Sequence, residues 1–168
     1  MKISETTAIA RISELGMDDM PVMEYTPTQS KLPADWFTTY RKLIHEFMQT
    51  LPDFGTELAF MNLSQNEFMD LITGRALPRN TSIRWRIPIT MGGKLSIENM
   101  FLCRTFPHSH RLDRFIMEQY GNDTIWLPNP AKPIYIPSHT ASGGAGGNAT
   151  SDRLAQMATQ IANDNSLG

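Results

Sequence analysis

A change in the spacing of apolar residues near Ser82 constrains the fold of this chain more than any other feature. Residues 82–87 alternate between polar and apolar side chains, a pattern typical of a β-strand, and Pro88 follows at the end of the run. The segment 91–94 then contains two adjacent glycines, which is typical of a turn or loop. The pattern therefore predicts a strand that runs into a glycine-containing loop.

A second strand and a helix are predicted directly after this loop. Residues 99–103 form a short apolar run that suits a second strand. Pro107 suits the first turn of a helix, and Gly121 suits its end. The residues that share the predicted inner side of that helix are Leu112, Phe115, Ile116 and Gln119. We therefore expect a strand–loop–strand–helix unit at about residues 82–121.

Two amphipathic helices are predicted before this unit. Apolar residues recur at spacings of three and four across residues 35–51. Ser64 and Glu67 have the spacing of a capping box, in which each side chain binds the backbone N–H of the other residue, so a second helix is expected over 65–73. Together with the two strands, these helices predict an α+β class: a small, mainly helical domain built around a hairpin and a helix.

The chain divides into four segments by composition. Residues 1–32 are polar and acidic and are expected to form an N-terminal arm, loose or packed along the surface, with a short helix near 6–15. Residues 33–137 are expected to form the domain, whose proline-rich end wraps it as extended chain. A flexible glycine-rich linker is predicted at 138–150, and a short amphipathic helix at 151–168, suited to a protein partner.

Overall charge and cysteine content narrow the function classes. The formal net charge of −2 gives no global attraction to nucleic acid, so any such binding needs a local patch. A single cysteine, Cys103, excludes an intramolecular disulfide framework and a cysteine-based zinc cage. No apolar run is long enough to span a bilayer, and the first residues lack a secretory signal. We therefore expect a cytoplasmic protein with no membrane partner, whose compartment is a host cytoplasm if the protein is phage-encoded.

The run from Trp85 to Leu102 resembles the signature of the HNH endonucleases, also called ββα-metal or His-Me finger nucleases. The similarity lies in an Ile-Pro pair at 87–88, two glycines at 92–93 and an asparagine six residues later, followed by an apolar strand and a helix with histidines. It covers about residues 64–118. In that family one divalent metal lies between hairpin and helix, and a histidine at the end of the first strand activates water.

The resemblance implies a role for each matched position. The base histidine of the family corresponds to Trp85, and the preceding metal ligand corresponds to Arg84. An indole cannot accept a proton and a guanidinium cannot bind a cation. The resemblance therefore implies a degenerate member of the family that lacks the base histidine. The family asparagine, which fixes the loop, corresponds to Asn99, and the last histidine to His108 or His110.

Helix geometry separates the two histidines. His108 falls on the predicted inner side of the helix, whereas His110 lies about 200° away from it at 100° per residue. His108 is therefore the better relic of the metal ligand, although a half-buried histidine bonded to a backbone carbonyl is the ordinary alternative. His110 is expected either as a plain surface histidine or as a phosphate contact.

Basic residues concentrate in the same part of the chain. Between residues 79 and 114, seven arginines and lysines stand against two acidic residues, a local charge of +5. The candidate nucleic-acid contacts are Arg84, Trp85, Arg86, Lys94, Arg104, His110, Arg111 and Arg114. Arginine suits phosphate and tryptophan suits base stacking. The ordinary alternative is a solvated charged face.

Three functions remain open from the sequence. The favoured one is a catalytically inactive HNH-like protein that binds nucleic acid, DNA rather than RNA, or a protein that processes it. The second is an active endonuclease using a single Mg²⁺, Mn²⁺ or Zn²⁺ ion, with a base supplied from elsewhere, such as His45 or His139. The third is an interaction or inhibitor protein of a phage or mobile element that reuses the fold. Fold alone does not choose among them.

Overall fold

The computed structural model describes residues 2–136, which form a mixed α+β fold. Pro137, the predicted linker and the predicted C-terminal helix lie outside the described residues. The elements are α1 (Glu5–Glu14), β1 (Val22–Tyr25), α2 (Trp36–Thr50), α3 (Gly55–Phe60), α4 (Gln65–Ile72), β2 (Thr81–Trp85), β3 (Met100–Arg104), α5 (His110–Met117) and β4 (Ile125–Pro128). Among residues 2–136, no helix has both the length and the apolar character that crossing a membrane requires.

The strands β2 and β3 pair as the predicted antiparallel hairpin. Thr81 lies opposite Arg104, and Trp85 lies opposite Met100. Because side chains alternate across a strand, β3 presents Phe101 and Cys103 to one side and Met100 and Leu102 to the other. The hairpin therefore separates two hydrophobic clusters.

The first cluster contains the helix that follows the hairpin. Phe101 and Cys103 of β3 pack with Leu112 and Phe115 of α5, and all four side chains are at most 1% exposed. The cluster also contains residues of α1, of the segment after α1, and of the chain end: Ala8, Ile12, Leu15, Met17, Met20, Trp126 and Tyr135. The inner side of the helix predicted from the sequence is thus buried as expected, with Gln119 at 3% exposure.

The second cluster joins the other side of the hairpin to α2, α3 and α4. Its buried members are Phe47, Met48, Leu51, Leu58, Met61, Leu71, Met100, Leu102 and Ile134. The predictions of α2 and α4 are confirmed, and both hydrogen bonds of the Ser64–Glu67 capping box are present. The proline-rich end of the described chain runs extended beside β3, where the Leu102 N–H donates to Pro133 O and the Tyr135 N–H donates to Leu102 O, each at 2.7 Å.

The N-terminal segment differs from the predicted arm. It supplies helix α1, capped by Ser4, and strand β1, which pairs antiparallel with β4 near the end of the described chain. Ile12 and Met17 are at most 1% exposed. The segment was expected to be peripheral because acidic residues dominate its composition, while the few apolar residues that reach the core show no clear pattern in the sequence. Its strand also has a partner about a hundred residues away, which no local pattern reveals.

Candidate functional site: the junction of the hairpin and helix α5

Arg84 fills the gap between the hairpin and helix α5. Its Nη1 donates to Ser109 O at 3.0 Å, to Ser109 Oγ at 2.9 Å and to Asp113 Oδ1 at 2.7 Å. The arginine side chain is only 13% exposed, whereas that of Asp113 is 59% exposed. The position that the resemblance gives to a metal ligand therefore carries a fixed cation that already joins the two elements.

Trp85 lies on the opposite side of the hairpin from α5. Its indole packs against the ring of Tyr40 on α2, with centroids 5.7 Å apart, and it belongs to the second cluster. It is therefore a half-buried core residue. The structure does not bring Arg84 and Trp85 together in one cationic and aromatic corner, because neighbouring residues of a strand point to opposite faces.

Asn99 fixes the loop between the two strands, as the resemblance implies. Its side chain accepts from the Ile87 N–H at 2.9 Å and donates to Ile87 O at 2.8 Å and to Lys94 O at 3.0 Å. A Cβ at Gly93 would lie 1.9 Å from Ile87 O and 2.9 Å from Asn99 Nδ2, so only glycine fits this close approach. Asn99 is buried, and its role is structural.

His108 is half-buried near the end of β3, and its ring lies edge-on to Tyr135 with centroids 5.9 Å apart. Its Nδ1 is buried and bonds no atom of residues 2–136, so the expected carbonyl partner is not found there. Burial, reinforced by the positive charges of Arg104 and Arg111, lowers the pKa of His108 to about 4, with Asp19 acting in the opposite direction. His108 is therefore a neutral imidazole at pH 7.

His110 is exposed at the start of α5, as helix geometry predicts. Its ring lies edge-on to that of Phe106, with centroids 5.9 Å apart. Phe106 itself is 65% exposed. Sequence reasoning missed Phe106, because a phenylalanine next to a proline at a strand end was indistinguishable from a core residue.

The basic residues are of two kinds. Some form hydrogen bonds that link distant segments of the chain, and others are exposed to solvent. Arg86 donates to Pro130 O at 2.5 Å, lies over the Phe101 ring and has a pKa lowered by burial. Like Arg84, it therefore links segments that are distant in the sequence.

Most of the other basic residues are more exposed. Arg111 donates to Leu15 O at 2.8 Å but remains largely exposed. Arg114 is fully on the surface, and Arg104 is half-buried at the end of β3. Lys94 is exposed on the loop, and no contact places it with the others.

The two carboxylates of α5 and the turn after it are already paired. Asp113 binds Arg84, and Glu118 receives two hydrogen bonds from Arg11 at 2.9 and 2.6 Å. The charge of Arg114 also acts on Glu118, but both hydrogen bonds to that carboxylate come from Arg11. We define the α5 surface as the exposed residues Phe106, His110, Arg111 and Arg114.

The residues at this junction do not fit the metal that the resemblance implies. Within residues 2–136, no three histidine, cysteine, aspartate or glutamate side chains converge as metal ligands would. The unpartnered nitrogen of His108 lies in the field of Arg104 and Arg111, which disfavours a cation there just as it disfavours protonation. His139, named as a substitute base, lies outside the described residues.

Comparisons of the chain with protein-family models, with curated proteins and with solved structures give no match.

Proposed function

We propose that this protein binds nucleic acid through the α5 surface and does not cleave it. The observation that carries the proposal is that Arg84 Nη1 lies within hydrogen-bond distance of three oxygens, two of Ser109 and one of Asp113. This puts a guanidinium where a nuclease of the resembled family needs a cation ligand. The order of hairpin, asparagine-fixed loop and helix supports descent from a ββα-metal nuclease. The side chains at the positions of the metal ligand and the base, Arg84 and Trp85, do not support nuclease activity.

Two requirements of metal-dependent cleavage lack a suitable group. A general base is worth about 10²–10⁴ in rate, and the residue at its position, Trp85, has no basic atom and packs on the far side of the hairpin. A metal needs anionic or neutral donor atoms, and the junction offers the cation of Arg84 instead. His45, the other substitute base, is exposed on α2 and its Nδ1 contacts Gly74 O, so no observation connects it with this junction.

The α5 surface supports binding of a polyanion. Guanidinium groups form charge-assisted hydrogen bonds to phosphate, and Arg111 and Arg114 extend from one exposed helix face next to His110. The carboxylates of Asp113 and Glu118 form their ion pairs with Arg84 and Arg11, so the guanidinium groups of Arg111 and Arg114 keep donors available for phosphate. A net charge of −2 for the whole chain confines the attraction to this surface.

The small number of basic residues sets the expected affinity and salt dependence. With about three phosphates contacted, the logarithm of the binding constant falls with the logarithm of salt concentration at a slope of about −2 on a single strand. We therefore expect salt-sensitive binding that weakens strongly between low and physiological ionic strength. A salt-insensitive interaction would contradict a phosphate-based mode.

The direct test combines cleavage and binding assays on the full chain. Plasmid and single-stranded DNA are incubated with protein and Mg²⁺, Mn²⁺, Zn²⁺ or EDTA, and binding is followed by gel shift over a range of salt concentrations. We expect salt-sensitive shifts and intact DNA in every lane. Metal-dependent cutting that disappears in His108→Ala would overturn the proposal in favour of an active nuclease. The absence of both cutting and shift would favour the interaction protein instead.

A pair of charge variants locates the binding surface. Arg114→Glu reverses a charge on the α5 surface, whereas Lys42→Glu makes the same change on the exposed side of α2. Arg114→Glu is expected to weaken binding at least tenfold at low salt, and Lys42→Glu to leave it within about twofold, because screening confines each charge to its neighbourhood. Equal effects of the two variants would contradict a local site.

A further inference from the structure

An exposed phenylalanine is held in a fixed position beside the basic residues of the α5 surface. Phe106 is 65% exposed, although an aromatic ring of this size is normally drawn into a core. Its backbone is fixed on both sides by one residue: the Phe106 N–H donates to Asn80 Oδ1, and Asn80 Nδ2 donates to Phe106 O, each at 2.9 Å. The ring is therefore presented to solvent from a firmly held backbone.

The residue that holds Phe106 is itself specialised for that position. Asn80 has a left-handed backbone with φ of +54°, which asparagine tolerates better than most residues. Its own carbonyl accepts from the Thr105 N–H at 2.9 Å, so three hydrogen bonds join it to the segment that carries the ring. This contact joins the start of the hairpin to its end, just beyond the paired residues Thr81 and Arg104.

Three planar side chains follow one another from this point along the outer face of α5. The rings of Phe106 and His110 are nearly perpendicular, with centroids 5.9 Å apart. Arg114 lies one helical turn beyond His110, and residues four apart share a helix face. We call Phe106, His110 and Arg114 the stacking stripe. Phenyl, imidazole and guanidinium planes are the groups on which proteins stack unpaired bases.

We propose that the stacking stripe binds the bases of single-stranded nucleic acid, with Phe106 as the principal stacking platform. This inference rests on the proposed function and specifies its ligand as unpaired strands. A base paired in a duplex hides its faces within the stack, so a duplex can use only the phosphate contacts of this surface. The arginines supply those contacts for both kinds of strand, and Phe106 discriminates between them.

A plain apolar docking site for a protein is the competing use of the same surface. The stripe contains a guanidinium and an imidazole beside one phenyl ring, and Arg111 on the same helix adds further positive charge. Arginine and phenylalanine are themselves enriched in protein–protein interfaces, so a protein partner is one outcome of the test below. A neutral apolar partner would leave the guanidinium groups without counter-charges, whereas a polyanion with exposed bases pairs with both the charges and the ring.

The test compares three fluorescent probes by anisotropy with the full chain at constant low salt: a short oligothymidine, an abasic sugar–phosphate oligomer of equal length, and a duplex of equal length. Wild type is expected to bind oligothymidine most tightly. Phe106→Ala should weaken oligothymidine binding by about 5- to 150-fold, the loss of one stacked base, and leave abasic and duplex binding unchanged. Phe60→Ala, which truncates a phenylalanine of 52% exposure on α3, is the matched control and should have no effect.

Two conservative variants separate stacking from apolar contact. Phe106→Trp should keep or increase the preference for oligothymidine, whereas Phe106→Leu, which retains apolar area without a π face, should lose most of it. A Leu variant that binds like wild type would overturn stacking. Equal binding of all probes by wild type, still weakened by Arg114→Glu, would overturn this inference and leave the proposed function intact. Binding to none of the probes would overturn both.

Discussion

The guanidinium of Arg84 and the carboxylate of Asp113 lie 2.7 Å apart and tie the hairpin to helix α5. The same Nη1 also bonds the backbone and hydroxyl oxygens of Ser109. In a nuclease of the resembled family a metal would join these two elements. Here the Arg84 side chain links the hairpin to the helix, but a guanidinium is not an electrophilic centre that could activate a phosphate.

The contacts of Arg84 with Ser109 and Asp113 predict that substitutions of Arg84 and of Asp113 will lower stability by different amounts. Arg84→Ala should lower the free energy of unfolding by about 2 kcal/mol, since it removes hydrogen bonds from a charged, nearly buried donor. Asp113→Asn should cost less than about 1 kcal/mol, because that carboxylate is 59% exposed and an amide oxygen can still accept. Urea denaturation of both variants measures the difference. Equal losses would show that the ion pair, and not the contacts to Ser109, supplies the stability.

A histidine in place of Trp85 should not confer nuclease activity. Trp85→His places an imidazole on the α2 side of the hairpin, where the indole now packs against Tyr40. We expect lower stability from the lost packing and no metal-dependent cleavage of plasmid DNA in Mg²⁺, Mn²⁺ or Zn²⁺. Nicking by this variant, with wild type inert, would show that the side chain can reach a metal after all.

The loop between the strands should respond sharply to a single methyl group. Gly93→Ala brings a Cβ to 1.9 Å from Ile87 O, so the loop must shift at a cost of about 2–3 kcal/mol, read from the denaturation midpoint. Gly55→Ala is the control, because a Cβ there meets nothing within 4 Å. That variant is expected to change stability by less than about 1 kcal/mol. Similar midpoints for the two variants would contradict the close approach.

Acid should weaken the fold partly through His108. Its pKa is about 4 in the folded protein, below the ordinary value of 6.5, chiefly because of burial. The unfolded chain therefore binds the extra proton first, so stability is fully present above about pH 6.5 and is lost as pH falls towards 4. His108→Phe removes this proton uptake while keeping a ring of similar shape.

The measurement is the free energy of unfolding of both proteins between pH 4 and 8. Lys132 and Arg11 lower the carboxyl pKa values of Glu57 and Glu118 respectively. These two groups titrate in the wild type and in the variant alike, so their contribution cancels in the difference between the two proteins. The difference between the proteins should stay constant above pH 6.5 and change in favour of the variant below it. Parallel curves over the whole range would rule out His108 as the group responsible.

Local patterns were sufficient for the elements whose signals are local. The period of α2, the Ser64–Glu67 capping box and the strand–loop–strand–helix order around residues 82–121 all appear in the structure. The separation of His108 from His110 followed from the helical repeat alone, and their burial agrees with it.

The remaining errors concern information that a local pattern does not carry. Arg84 and Arg86 counted as surface charges in the sequence, yet both bind oxygens supplied by segments far along the chain. Trp85 was counted with Arg84 among the nucleic-acid contacts, although neighbouring residues of a strand point to opposite faces. The exposure of Phe106 depends on Asn80, which the sequence alone does not connect with it.

The pairing of β1 with β4 has a consequence for how the chain reaches this fold. Trp126 Nε1 donates to Ile3 O at 2.9 Å across a separation of 123 residues, next to the strand pair that closes the same side of the molecule. Closing a loop of that length has an entropic cost that rises with the logarithm of its length. Because the first cluster contains residues of α1 and Trp126 of β4, it cannot be completed during synthesis until β4 has been made.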